Sequence, residues 1–418
     1  MLNINQYLNF NYILLFFFIL FPFLMITGPF LPDLFSSILS LFFLYLLFLK
    51  KINLEINKKI FLIFFVFFLI LIFSSLINEI NFKSLKSSFF YFRHFIFLLM
   101  FIYIINFFSH LYKFLFYSLT LIFIILIIDG YSEYFYSTGV LSNSIKESGR
   151  ISSFFGDEYI LGSYVSKFFL IYFYLFYKLN FQKKNLSLIT YTILILSYFL
   201  VFMTAERSSF FLLNFDIILL LLFFFNFKNL IIYCLFITLT LFGLSKDEGL
   251  KHRYVDLTKN TFTYIKDQNY YDEITFNLKT SFEIIKKNIF FGAGPRNYYL
   301  ECNNFWYKKN IQLKNFCTSH PHNYHLQLIA EVGIAGYLFI ILFFFYLIWK
   351  LIKIRFQSFS ILRKDKSYVI LIISLITILW PLTTSGNFFN NWLSYFNFFV
   401  LSLFFAENQL FTKSKNHE

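Results

Sequence analysis

Charge is what this chain has least of. Only 14% of its 418 residues are charged, against 58% that are hydrophobic. Such a composition offers far more apolar surface than one soluble core can hide, so a soluble domain is excluded. Glycine (13) and proline (6) are few, while Phe (69), Ile, Asn and Lys abound. Coding pressure from an AT-rich genome gives that bias, and aromatic abundance therefore carries no functional message. No basic-aromatic module of the nucleic-acid-binding kind is present, so the net charge of +14 points to membrane topology and not to nucleic acid. Gly292-Ala293-Gly294 lacks both the third glycine of a dinucleotide fingerprint and the lysine of a P-loop, which leaves a tight turn. No Asp-x-Asp pair offers to hold a metal-bound nucleotide sugar. The first residues, MLNINQYLNF, have no positive region ahead of the apolar run and no small-residue cleavage site after it. A retained first span is expected there, not a removed signal peptide.

What the chain does have is a succession of apolar runs of bilayer length. They predict an all-α integral membrane protein of about 12 transmembrane helices, near 8–28, 33–49, 60–78, 94–108, 112–128, 158–177, 187–204, 208–227, 229–245, 325–349, 367–385 and 390–406. Residues 1–245 then hold spans one to nine, 246–324 a large loop, and 325–418 the last three spans with a tail. Lysine and arginine crowd alternate connections, around Lys50–Lys59, Lys178–Lys184 and Lys350–Lys366. The opposite connections TGPFLPD, TAERSS and TSGNFFN are nearly free of lysine. By the positive-inside rule both ends are cytoplasmic, and the large loop faces the other side of a lipid bilayer. Within it, Asp272–Lys287 predicts an amphipathic helix with Ile274, Leu278, Phe282 and Ile285 on one face. Cys302 and Cys317 share the loop and can either close a disulfide there or remain thiols, whereas Cys234 lies in an apolar run.

The least apolar stretch holds the strongest candidates for chemistry. Ser319-His320-Pro321-His322-Asn323 is followed by Gly333 and Gly336. With Pro321 at a helix start, His322, Leu326, Ile329, Gly333 and Gly336 fall on one face, an imidazole at its mouth and two glycines where another backbone can approach. A near-neutral imidazole suits a general base. The blander readings are a structural histidine, or a metal site using His320, His322 and His325, for which no carboxylate or thiolate stands at ligand spacing. Arg150, Arg207, Arg253 and Arg296 map to the same side, and guanidinium forks bind phosphate. Their alternative is interfacial arginine on lipid headgroups or, for Arg207, pairing with Glu206. Asp216 lies mid-span in LLNFDIILL, where charge is expensive. Its bland reading is a carboxylate satisfied by Asn214 or simply protonated.

These residues carry a resemblance. His322-Asn323, nine residues, Gly333, two residues and Gly336 is similar to the histidine motif of the family of O-antigen ligases and O-antigen polymerases. GAGPRNY resembles the family's Gly-x-Gly turn, SGRISSFFGDEYILGSY its earlier arginine segment, and AERSSF its Ser-Arg element. The related region spans about residues 150–345. The resemblance implies a GT-C-type glycosyltransferase in the bacterial inner membrane, with a large periplasmic loop between spans nine and ten and its active site facing the periplasm. It implies an undecaprenyl-diphosphate-linked glycan as donor, a lipid A-core or glycan acceptor, and neither a metal nor another cofactor. His322 would be the catalytic base, Arg207, Arg150, Arg253 and Arg296 would hold the diphosphate, and Asn323, Gly333 and Gly336 would support them. In the family an arginine commonly precedes the loop helix. Here Asp272 and Glu273 stand in that place, and Arg253 is the nearest substitute. The expected activity is ligation, with polymerisation by the same chemistry as the rival. A polytopic lipid or polysaccharide transporter, for which Asp216 would speak, has neither an inverted repeat nor a chain of intramembrane acids behind it.

Overall fold

The computed structural model describes residues 4–52, 58–77, 81–147, 149–180, 184–266, 273–309, 317–356 and 366–415. They are 81% helix, and no strand occurs among them. In chain order the helices are α1 (Ile4–Leu24), α2 (Phe30–Phe48), α3 (Lys58–Ile77), α4 (Phe82–Phe90), α5 (Phe92–Phe107), α6 (Leu111–Tyr136), α7 (Leu161–Leu179), α8 (Lys184–Met203), α9 (Arg207–Phe223) and α10 (Phe227–Lys246). The polar stretch that follows carries α11 (Glu248–Lys251), α12 (Leu257–Lys266), α13 (Glu273–Lys287) and α14 (Tyr298–Lys309). Then come α15 (Tyr324–Phe356), α16 (Lys366–Ile378) and α17 (Asn391–Lys415). Among the described residues, 8 helical segments are long and apolar enough to cross a membrane, with α4 and α5 counted as one. The other four expected spans coincide with α9 and α16, which are shorter, and with α7 and α17, which are more polar.

Within lipid, the tails are as apolar as the side chains, so helices associate through close packing. The phenylalanines supply it: Phe399 of α17 stacks on Phe21 at 5.1 Å and on Phe101 at 4.9 Å, and Phe101 meets Phe18 at 4.3 Å. α5 and α17 pack together, as do α7 and α16, and these four helices form the centre.

The two ends of this bundle differ in chemistry. At one, Lys178 pairs with Glu407 at 2.7 Å and Lys350 donates to Asn408 at 3.0 Å. At the other, the lysine-poor connections converge. Asp33 is held by Arg93 at 2.9 Å, Asn391 at 2.8 Å and Tyr395 at 2.9 Å. The stretch between α6 and α7 is organised by two buried acids. Asp129 accepts the backbone N–H groups of Leu141 and Ser142, and Glu133 those of Ser152 and Ser153. Cys302 and Cys317 form a disulfide, which ties α14 to the residues just ahead of His320.

α13 forms over Glu273–Lys287, as expected. Leu278 and Phe282 of its apolar stripe are exposed, and a different face, Phe276, Asn277, Thr280, Ser281 and Ile284, packs inward. Polar residues go inside because they hold the surrounding loops: Asn277 accepts from Tyr298 Oη and Thr318 Oγ1, and Thr280 accepts from Trp306 Nε1. Asp272 lies outside the described residues.

Candidate functional site

His322 is not part of a helix. α15 begins at Tyr324, and Asn323 caps it, its Oδ1 accepting the N–H of Leu326 at 3.1 Å. A side-chain acceptor here satisfies an amide that the first turn cannot. His322 itself has φ 55, a left-handed conformation uncommon for a residue with a side chain. Its carbonyl accepts the N–H of Ser385 at 2.8 Å, and its ring lies 4.3 Å from that of His320. The single helical face expected for His322 and the two glycines therefore does not exist. His325 turns elsewhere, with Nδ1 on Tyr337 Oη at 3.0 Å and Nε2 on the Leu379 carbonyl at 2.8 Å. Among the described residues no group of three His, Cys, Asp or Glu is placed to hold a metal ion.

Gly333 breaks α15, with φ 68 and ψ −173. The interruption frees backbone groups that must find partners in a buried place. The turn Phe290–Gly294 supplies them. Ala293 and Gly294 donate to the carbonyls of Ala330 and Glu331, while Ile334 and Ala335 donate to those of Ile289 and Phe290, all between 2.7 and 3.1 Å. The backbones come so close that a Cβ on Gly333 would sit 2.3 Å from the Phe290 oxygen, and one on Gly292 at 2.3 Å from the Glu331 carbonyl carbon. The close approach expected of the glycines is thus found at Gly333, and its partner is the Gly-x-Gly turn. A Cβ on Gly336 would sit 2.3 Å from Val332 Cγ1 and 3.6 Å from Ile70 Cγ2 of α3.

This latch sets Arg296. The buried Glu331 carboxylate accepts the N–H of Tyr298 at 3.0 Å and is held by Gln327 Nε2 at 2.9 Å. It fixes the turn Arg296–Asn297 at the head of α14. Arg296 then reaches to the Phe389 carbonyl with one Nη. Burial pulls its guanidinium below the ordinary arginine value, the Glu331 carboxylate pulls it back up, and neighbouring Arg93 lowers it again.

In AERSS the acid and the arginine part company. Glu206 turns to the start of α7 and accepts the N–H groups of Gly162 at 2.6 Å and Ser163 at 3.0 Å, with Ser209 Oγ at 2.9 Å. A carboxylate is favoured at a helix N-terminus, which has unfilled amides and the positive end of the dipole. Burial nonetheless raises the Glu206 carboxyl above the ordinary range, against those hydrogen bonds and the charges of Arg150 and Lys167. Arg207 points to Thr258 Oγ1 at 3.4 Å. Arg150 donates to the Tyr159 carbonyl at 2.9 Å and lies over the Tyr159 ring at 4.4 Å. Burial lowers its guanidinium, Glu206 raises it, and Arg253 lowers it. The Nε groups of Arg150 and Arg253 are buried and make no hydrogen bond.

These elements surround one cavity of about 1260 Å³ at the lysine-poor end. His322 and Arg296 are in its wall; Arg150, Arg207 and Arg253 are not, although Glu206, Ser208 and Ser209 are. Sequence reasoning missed three contributors: Lys83 of α4, Lys167 of α7, and the uncharged connection Trp380–Asn390. Lys167 carried a signal, being a lysine one and a half turns into a membrane-length apolar run. Asp216 also reaches the cavity, bonded to Thr377 Oγ1 across to α16; Asn214, expected to satisfy it, is occupied by Tyr198 and Tyr233.

Residues 192–341, a little over a third of the chain, match the model of the family described as O-Antigen ligase. The match includes Arg207, Arg253, Arg296 and the whole histidine motif, and Arg150 precedes it. The chain carries an O-antigen ligase-family domain. That family comprises ligases and polymerases, glycosyltransferase-like enzymes of multi-pass bacterial membrane proteins, with lipid-linked glycans as substrates. A search of curated proteins returns no match.

Proposed function

We propose that the protein is an O-antigen ligase-type glycosyltransferase of the inner membrane, moving a glycan from undecaprenyl diphosphate to a sugar hydroxyl of lipid A-core on the periplasmic face. The observation that carries this reading is the shared wall: an imidazole, His322, and a guanidinium, Arg296, border one polar cavity at the end of the bundle where lysine is scarce. The lysine-poor end is the periplasmic one by the positive-inside rule.

In this reading His322 takes the proton of the acceptor hydroxyl, whose oxygen attacks the anomeric carbon from the side opposite the diphosphate. The carbon–oxygen bond to the diphosphate breaks, its electron pair leaves with the phosphate, and the configuration inverts. Charge grows on the leaving group as the bond breaks, and preorganised cations stabilise it most at that point. Arg296 is the cation in the wall, with Lys83 and Lys167 also bordering the cavity. Arg207, Arg150 and Arg253 form the adjoining positive patch, and the unfilled Nε donors of Arg150 and Arg253 suit an oxyanion.

Purified protein in bilayers, given lipid-diphosphate glycan and lipid A-core, tests the proposal. Removing a general base lowers transfer by about 10²–10⁴-fold, so His322→Ala should fall by that much while still binding donor. Undiminished transfer by His322→Ala ends the assignment of the base. Transfer to a second lipid-linked glycan, with none to lipid A-core, makes the protein a polymerase instead.

A further inference from the structure

The connection between α16 and α17, Trp380-Pro381-Leu382-Thr383-Thr384-Ser385-Gly386-Asn387-Phe388-Phe389-Asn390, has no charged residue, and it is bonded to the histidine motif, to Ser208 and to Arg296. Asn323 Nδ2 donates to the carbonyls of Pro381 and Thr383, at 2.7 and 3.3 Å. Ser385 N–H holds the His322 carbonyl, and Thr384 Oγ1 lies 2.6 Å from Ser208 Oγ. Gln327 binds Asn387 Oδ1 and the Phe388 N–H, and Arg296 reaches the Phe389 carbonyl. These bonds pin the segment to the motifs on either side.

Among the described residues, Ser385 Oγ and Trp380 Nε1 are buried side-chain atoms without a hydrogen-bond partner, and both residues line the cavity. The contrast with Trp392 is direct: that indole also lines the cavity, but its Nε1 is satisfied by the Met25 carbonyl at 2.7 Å. An unmade hydrogen bond at a buried polar atom costs free energy that a bound partner returns. The wall beside His322 is neutral and rich in hydroxyl and amide groups, which suits a hydroxylated, uncharged ring better than a phosphate.

We propose that Ser385 and Trp380 read the acceptor sugar, each hydrogen-bonding a ring hydroxyl and so presenting the neighbouring hydroxyl to His322. This rests on the transferase reading and adds to it the residues that choose the acceptor. The same sugar chemistry is found in the donor glycan. The acceptor is favoured because Ser385 is bonded directly to the backbone of the residue assigned as base.

The test uses the full-length protein in bilayers, with lipid-diphosphate glycan and a short lipid A-core oligosaccharide varied separately. The variants are Ser385→Ala, which removes one polar atom and keeps the packing, and Trp380→Phe, which removes the indole N–H together with part of the ring. Loss of one such bond corresponds to about a 2- to 13-fold rise in acceptor KM, with donor KM within about twofold. Thermal unfolding of Ser385→Ala should not drop, because the atom removed has no partner in the unliganded protein. A rise in donor KM alone overturns the acceptor assignment in favour of the donor glycan. Unchanged KM for both substrates, or a fall in stability without a KM change, overturns the inference. Absence of transfer by the unaltered protein would instead count against the transferase reading itself.

Discussion

Ser208 Oγ lies 2.6 Å from Thr384 Oγ1, so the residue after Arg207 is hydrogen-bonded to the residue before Ser385, whose N–H holds the His322 carbonyl at 2.8 Å. Two short side chains connect the arginine segment to the histidine segment through a third stretch of chain. None of the three is near another in sequence.

The first prediction concerns this link. Ser208→Ala and Thr384→Val should each lower transfer and cost about 0.5–1.5 kcal/mol of stability. Combined, they should cost no more than the larger single change, since both remove one bond. Thermal unfolding of the two single variants and the double variant measures this. Additive losses would show that the hydroxyls do not act on each other.

Gly333→Ala should be far more damaging than an exposed glycine change. Its Cβ would meet the Phe290 carbonyl oxygen at 2.3 Å, and the backbone sits at φ 68. Strain of about 1–3 kcal/mol from the conformation alone is expected before the clash is counted. Gly292→Ala meets the other side of the same contact, so the pair should be strongly non-additive. A Gly333→Ala protein with the unfolding temperature of the parent would refute the latch.

Glu331→Ala leaves the buried Tyr298 N–H without its acceptor and Gln327 Nε2 with Asn387 Oδ1 alone. A loss of about 1–3 kcal/mol per unsatisfied group follows. Donor KM should rise as well, because the turn bearing Arg296 is no longer fixed. Glu331→Gln retains one oxygen acceptor and should recover part of both effects. Equal damage by Gln and Ala would argue against an accepting role.

Reduction of the Cys302–Cys317 bond, which closes a separation of 15 residues, should destabilise the protein by about 3 kcal/mol. Adding reductant to a Cys302→Ser, Cys317→Ser double variant should then change nothing. Unfolding midpoints with and without reductant distinguish the two. A shift in the double variant would assign the sensitivity to another group.

Much of the architecture was legible because it follows from local composition. Apolar runs become helices in lipid since no other arrangement satisfies their backbone. Lysine placement separated the two ends, and the lysine-poor connections TGPFLPD, TAERSS and TSGNFFN do converge. The apolar stripe of α13 was legible from its period, whereas the inward placement of Asn277 depends on a hydrogen-bonding task that hydropathy does not register. His322 was placed on the helix because Pro321 resembles a helix start. The side chain of Asn323 is the better cap, and it sets the boundary two residues past His322.

By itself, then, the order of residues determined that this is a helical membrane protein and which connections share an end. Those properties depend on period, length and charge within each segment. What only the tertiary structure decided is the partnership of distant groups: Gly333 with the Phe290–Gly294 turn, Glu206 with α7 instead of Arg207, and Trp380–Asn390 as the wall beside His322. Each depends on which backbone amide or carbonyl is left unsatisfied once the helices pack. That is a property of the assembled bundle, and no local window of sequence contains it.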